Sequence, residues 1–382
     1  MRIILNEIKK IFYFKRICLL ILGSLLIYKM FISFELDYFP NGRPELDVYN
    51  ITVEMINNYG NEMDDIELED LKNIYKNKLK EADEFFINNE DFNQVGVYSY
   101  EDYENKCSCD TENQKFNDIN WKYLKKDEGD ILWELQELPG IIELYEDRNT
   151  NYYSEYGNCK KHEERVNDII SSKENQSILS YLVFNNYNNL IKDLGICVII
   201  GIAFILTPLF LKDKKDKIDY LQYSSKCGRQ IFKSKLIAGV ISAIIIITIE
   251  IIIFFILYRG NNTSMFFNSN INSVLNDEFW ISITFFQYIL LTIVALYIIG
   301  IITAFISMFI SSKVNTYISS IGMQVPILFI IGGLTTRIFL NNLFKLSIPK
   351  YLTPFTYFIL IIIAVIITTT SIRKVRVTDI RN

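Results

Sequence analysis

The chain has 382 residues, half of them hydrophobic, and a formal net charge of −5. The average hides a partition: residues 34–190 hold 35 of the 44 acidic side chains and 15 of the 39 basic ones, a net of −20, while the rest nets +15 in short segments between apolar runs. That map excludes an ordinary soluble enzyme, calls for no nucleic-acid partner, and belongs to a polytopic membrane protein with one large domain on the outer side.

Residues 1–16 come first. Ile4, Ile8, Ile11 and Phe12 share one helical face, with Glu7, Lys9 and Lys10 off it. The spacing predicts an amphipathic helix in the inner interface; simple positive-inside flanking charge accounts for the same residues. Six apolar runs then approach the roughly 20 residues that cross a bilayer core. They are 17–34, 194–211, 236–258, a span within 279–310, 317–340 and 354–372. Runs this long and apolar are helices, because lipid satisfies no backbone polar group. The 279–310 run exceeds one span, and its first turns are expected along the outer surface. The first run starts late, follows Glu7 and lacks a small-x-small cleavage site, so it reads as a retained anchor.

Orientation follows from Lys and Arg in the short flanks. With the N-terminus inside, segments 1–16, 212–235, 311–316 and 373–382 carry 18 basic residues in 56 positions. The outer loops 259–278 and 337–353 then carry 4 in 37. Both termini are expected in the cytoplasm, with residues 35–190 outside. Richness in Ile, Asn, Lys and Tyr reads as the codon bias of an AT-rich bacterial genome, which places the chain in a bacterial plasma membrane.

The fold class expected is therefore all-α: six transmembrane helices and a large, mainly helical extracytoplasmic domain between the first and second spans. Its parts are 1–34 (N-terminal helix and first span), 35–190 (acidic domain) and 191–382 (five further spans with the loop 212–235). Within the acidic domain, residues 65–87 carry apolar side chains at steps of three and four. Residues 130–138 repeat the pattern until Pro139-Gly140 breaks or bends it. Segments 158–171 and 177–190 also read as helices, and 88–95 and 149–158 as loops. The acidity suits either binding of cationic material, such as basic peptides or divalent metals, or a merely solvated surface.

Few motifs carry chemistry. Cys107, Cys109 and Cys159 share the acidic domain, so at most one disulfide forms among them. One histidine, His162, and no C-x-x-C pair argue against a conventional zinc site, and no metal is expected. No P-loop occurs, and nothing near His162 resembles a nucleophile elbow, so no catalytic residue is assigned. Two features stand out. Glu250 lies within the third span, where a carboxyl is expensive; it either lines a substrate or proton path, or is protonated or hydrogen-bonded to Ser, Thr or Gln287. The loop 212–235 is too long and patterned for a minimal connection. Ile218, Leu221 and Gln222 suit one short helix and 230–235 leads another, with Cys227-Gly228 as the turn. It is either a tether on anionic lipid or a docking element for a cytoplasmic partner.

The stretch YLQYSSKCGRQIFKSKLIAG over residues 220–239 resembles the inner loop of type-2 ABC transporter permeases. Gly228, Arg229, Lys235 and Gly239 occupy matching places, and Leu352-Thr353-Pro354-Phe355 before the last span is similar as well. The family's usual Pro in the loop is replaced by Ser224-Ser225-Lys226. The resemblance covers about half of the chain, the membrane part; the acidic domain matches only in position. It implies a permease subunit that pairs with a second, identical or different, and exports a lipid, peptide or drug-like molecule. A separate P-loop ATPase subunit would bind the ATP, so the chain needs no cofactor of its own. Cys227, Gly228, Arg229, Gln230, Ile231 and Phe232 would then couple to that ATPase. The competing expectation is a non-transporting membrane receptor or immunity protein whose outer domain senses a peptide.

Overall fold

The computed structural model describes residues 2–109, 113–126, 129–150, 160–218, 228–341 and 343–377. Among them no β-strand occurs, only two isolated bridges, Glu62–Ser177 and Asn270–Thr284. The chain forms two compact units: Pro40–Phe184 with Thr263–Phe285, and Met1–Phe39 with Asn185–Asn262 and Phe286–Asn382.

The second of these is the membrane unit. Helix α1 (Arg2–Ile11) is followed by α2 (Phe14–Asp37), the first of six helices long and apolar enough to cross a membrane. The acidic unit contributes α3 (Glu45–Tyr59), α4 (Asp65–Ile87), α5 (Glu90–Asn93), α6 (Tyr100–Cys109), α7 (Gln114–Leu124), α8 (Asp130–Glu146) and α9 (Lys160–Ser171). The remaining long helices are α10 (Tyr181–Leu206), continued by α11 (Pro208–Lys215), then α12 (Gly228–Tyr258), α13 (Phe285–Lys313), α14 (Tyr317–Leu334) and α15 (Leu352–Val377).

In the acidic unit α4 follows the expectation for 65–87. Asp64 caps it by accepting from the backbone N–H of Ile66 and Glu67, and Glu67 reaches back to the Asp64 N–H at 2.9 Å. This reciprocal capping satisfies donors that a helix start leaves orphaned. Of the two outcomes expected at Pro139-Gly140, a break or a bend, the break does not occur: α8 continues through Pro139 to Glu146. An interior proline costs about 3 kcal/mol, but buried Leu132, Leu135 and Leu138 before it and Ile141, Ile142 and Tyr145 after it form one apolar face against α3 and α4. Tertiary burial outweighs the local penalty. Two further corrections concern bounds. The segment read as a loop over 88–95 contains α5, capped by Asn89. The helix expected from 177 begins at Tyr181. Helix α9 is described from Lys160, and its expected start at 158 lies outside the described residues, as do residues 151–158 of the expected loop 149–158.

The core of this unit has two clusters. One joins Ile51, Met55, Leu71, Ile142 and Tyr145 to Leu275. The other is aromatic, with Phe86 and Phe92 edge to face at 4.9 Å and Phe86 stacked on Tyr103 at 5.3 Å. Leu275 shows that the core of this unit extends into 263–285, which is more than a loop between spans. Arg165 donates from Nε to the carbonyl of Phe279 at 2.9 Å and pairs through Nη2 with Glu174 at 2.8 Å. Buried Asn272 donates to the same carboxylate at 2.7 Å. The Ile271 N–H meets the carbonyl of Ile283 at 3.0 Å. The run 279–310 therefore becomes helical only at Phe285, and its first residues belong to this core.

In the membrane unit α10 and α13 are the most enclosed spans, while α2 and α15 are the least buried. Close approach at the centre needs a glycine: a Cβ on Gly300 would stand 2.5 Å from Ile247 Cδ1 and 3.1 Å from Ile202 Cδ1. Between α10 and α11 the chain breaks at Thr207, and the freed groups find partners. Thr207 donates to the Gln324 Oε1 at 2.8 Å; Ser311 donates to the Thr207 carbonyl at 2.7 Å and accepts from the Phe210 N–H at 3.1 Å. At the far end of α10, Asn186 donates to the carbonyl of Glu35 at 2.9 Å and accepts from Asn261, just past α12, at 2.8 Å. These bonds pin α2, α10 and α12 together.

Candidate functional site

The residues flanking the basic loop converge. Helix α1 packs against α12, and its packed face includes Glu7, which is 5% exposed. This corrects the sequence expectation that put Glu7 off the apolar face. The carboxylate stays there because Lys10 donates to it at 2.7 Å. Partial burial works against the Lys10 ammonium, but the bond and charge of Glu7, with the nearby charge of Asp213, hold its pKa above the ordinary value.

Asp213 in α11 forms a buried ion pair with Lys235 in the first turns of α12. The Lys235 ammonium also lies 5.3 Å from the centre of the Phe210 ring, which packs on Phe232 at 4.9 Å. Lys214 donates to the carbonyls of Ser312 and Val314 at 2.5 and 3.1 Å, which ties α11 to the turn after α13. The two ends of segment 212–235 are thus clamped to each other, near α1 and the 311–316 turn.

Of the expected coupling residues, Gly228 opens α12 and is buried, Gln230 is exposed, Ile231 is half-buried and Phe232 is buried. Cys227, Leu221 and Gln222 lie outside the described residues, as does the side chain of Arg229. The sequence did not single out Asp213, Lys235 as an ion-pair partner, or Phe210. In the run KDKKDK one aspartate looks like any other solvated acid.

A second feature lies deeper in the membrane unit. Between α2, α10 and α12 runs a cavity of about 660 Å3, lined almost entirely by apolar side chains. Glu250 of α12 faces it. The Oε1 atom accepts a long 3.9 Å contact from the Cys197 thiol of α10, and the Oε2 atom is buried with no hydrogen-bond partner. Space for this carboxyl comes from Gly201, where a Cβ would approach Oε1 to 3.2 Å. The partner is thus a thiol, rather than the Ser, Thr or Gln287 considered from sequence; Gln287 is exposed.

The acidic unit has a cleft of about 470 Å3 beside α8, lined by Glu137, Glu143, Leu144, Val48, Tyr181 and Leu275. Burial pushes the Glu137 carboxyl above its usual range. Cys107 is an exposed free thiol on α6, whereas Cys159 and the side chain of Cys109 lie outside the described residues.

Comparison with known proteins finds no matching family model, no matching curated protein and no matching solved structure.

Proposed function

We propose that this chain is the membrane-spanning permease subunit of an ABC transporter, working with a separate P-loop ATPase subunit and a second permease copy in the plasma membrane. In this reading both termini and segment 212–235 are cytoplasmic, the acidic unit is extracytoplasmic, and the cargo is a lipid, peptide or drug-like molecule moved outward. One observation carries it: the Asp213–Lys235 pair clamps the base of 212–235 beside an interfacial helix, α1, that packs on α12. A loop that only tethers the chain to anionic lipid needs no buried ion pair at its base. A loop that must pass force from a soluble motor into α10 and α12 does, because its two ends have to move as one body.

The experiment is purification of the tagged chain from its host in mild detergent, with mass spectrometry of its companions. A stoichiometric P-loop protein that is lost on Arg229→Glu, while the variant still inserts in the membrane, is the expected result. A clean preparation with no ATPase, under conditions that hold a known ABC complex together, overturns it.

The runner-up is a membrane receptor or immunity protein that senses a basic peptide. The cleft with Glu137 and Glu143 favours it. Binding of such a peptide to the chain with no ATPase partner would move the assignment there.

A further inference from the structure

The groove beside Glu250 is more than a gap between spans. Helix α2 is held at one end by the Glu35–Asn186–Asn261 bonds and continues at the other from α1, which is anchored on α12. Between these points Leu20 of α2 reaches Gly201 of α10, and a groove remains between α2 and α12. Leu25 of α2 and Ile249 and Ile253 of α12 line the groove and are more than half exposed, so the groove opens sideways, at the level of the hydrocarbon. A ligand would enter it from the bilayer.

The lining also has a sign. It contains one carboxyl and, among the described residues, no lysine or arginine. A carboxyl in hydrocarbon is costly until a donor or a cation meets it, and Oε2 of Glu250 has neither. Phosphate, sulfate or carboxylate headgroups would meet no counter-charge here and would face Glu250 itself. A volume of about 660 Å3 falls in the range that encloses drug-sized ligands.

We infer that this groove is a binding site for an amphiphilic amine. The protonated nitrogen donates to Glu250, and the hydrocarbon body lies along α2 and α12. If the chain is a permease, this names its substrate class, which rests on the permease reading; the binding itself needs no ATPase and is tested without one.

The full chain, purified and placed in lipid nanodiscs, is exposed to dodecylamine carrying a terminal diazirine. Dodecanoic acid and dodecanol carrying the same group serve as comparisons, and labelled segments are mapped after photolysis. The expected result is saturable amine labelling within 17–32 and 245–257, competed by plain dodecylamine and at least tenfold stronger than labelling by the acid or alcohol. Glu250→Gln should weaken the amine tenfold or more without changing the alcohol, and Glu250→Asp should keep most of the preference. Ile253→Trp, which fills the groove from its open side and leaves the carboxyl in place, should block all three probes. Equal labelling by amine and alcohol would make the groove a seat for acyl chains and overturn the proposal. So would unchanged amine labelling in Glu250→Gln. Absence of a copurifying ATPase would sink the permease reading and leave this result standing.

Discussion

Asp213 and Lys235, both at least nine-tenths buried, are paired across the base of a basic loop although 22 positions separate them in sequence. Removing two charges from water is expensive, and their attraction repays it only while both remain. Lys235→Met should therefore cost about 3–5 kcal/mol by stranding the aspartate. Adding Asp213→Leu should return most of that loss, since an apolar pair of similar volume is often neutral. Thermal unfolding of the detergent-purified single and double variants measures both. If the double variant regained stability but not ATPase-coupled function, the pair would be serving the loop rather than the fold.

The acidic unit should depend on residues that lie far away in the chain. A fragment of 40–184 alone leaves Arg165 and Glu174 without Phe279 and Asn272, and opens the cluster around Tyr145 by removing Leu275. That fragment should show weak amide-exchange protection in α8 and α9, whereas 40–184 joined through a short linker to 263–285 should be cooperative. Equal protection in the two would show that 263–285 merely rests on a finished core.

The same segment marks where the sequence stops being legible. The six spans could be read because lipid imposes one rule on every residue of a long apolar run. Helix α4 was readable because its apolar stripe acts locally, recurring every three or four residues. What could not be read depends on distant partners. Pro139 breaks a helix locally, yet α8 continues because its apolar face is buried on both sides of the proline. Residues 279–284 were expected as turns along the outer surface and instead complete another core, since hydropathy does not distinguish an interfacial turn from a protein interior. Glu250 stood out as an anomaly within an apolar run, but the empty oxygen and the Cys197 contact come only from three helices meeting.

Asp47 gives the acidic unit a pH dependence of definite sign. Burial pushes its carboxyl above the usual range; Arg43, 3.6 Å away, offsets this only in part because it also pairs with Asp130, and the charges of Asp130 and Glu134 add to the rise. With the folded pKa above the unfolded value of about 3.9, the native state binds more protons in that window. Stability falls as pH rises through it and loses nothing further above. Asp47→Asn should match wild type near pH 3.5, then gain on it as pH rises, reaching a constant advantage at neutral pH. Denaturant titrations of the full chain at several pH values test this. A variant less stable than wild type at pH 7 would mean that the Arg43 contact dominates.

Orientation can be decided by two thiols, because the charge map commits to one arrangement. Segments 1–16, 212–235, 311–316 and 373–382 hold 18 basic residues in 56 positions, against 4 in 37 for 259–278 and 337–353. Basic residues in short flanks are retained on the cytoplasmic side, and long acidic domains cross regardless of their charge. Cys107 is exposed on α6 and serves as the reporter for the acidic unit. Asp216, exposed just after α11, serves as the reporter for the basic loop. In a background with the other cysteines replaced by serine, a membrane-impermeant maleimide should label Cys107 on intact cells. Asp216→Cys, with Cys107 also replaced, should react only after the membrane is opened. The opposite pattern would put the basic loop outside, beyond the reach of any cytoplasmic ATPase, and would remove the permease proposal together with the orientation.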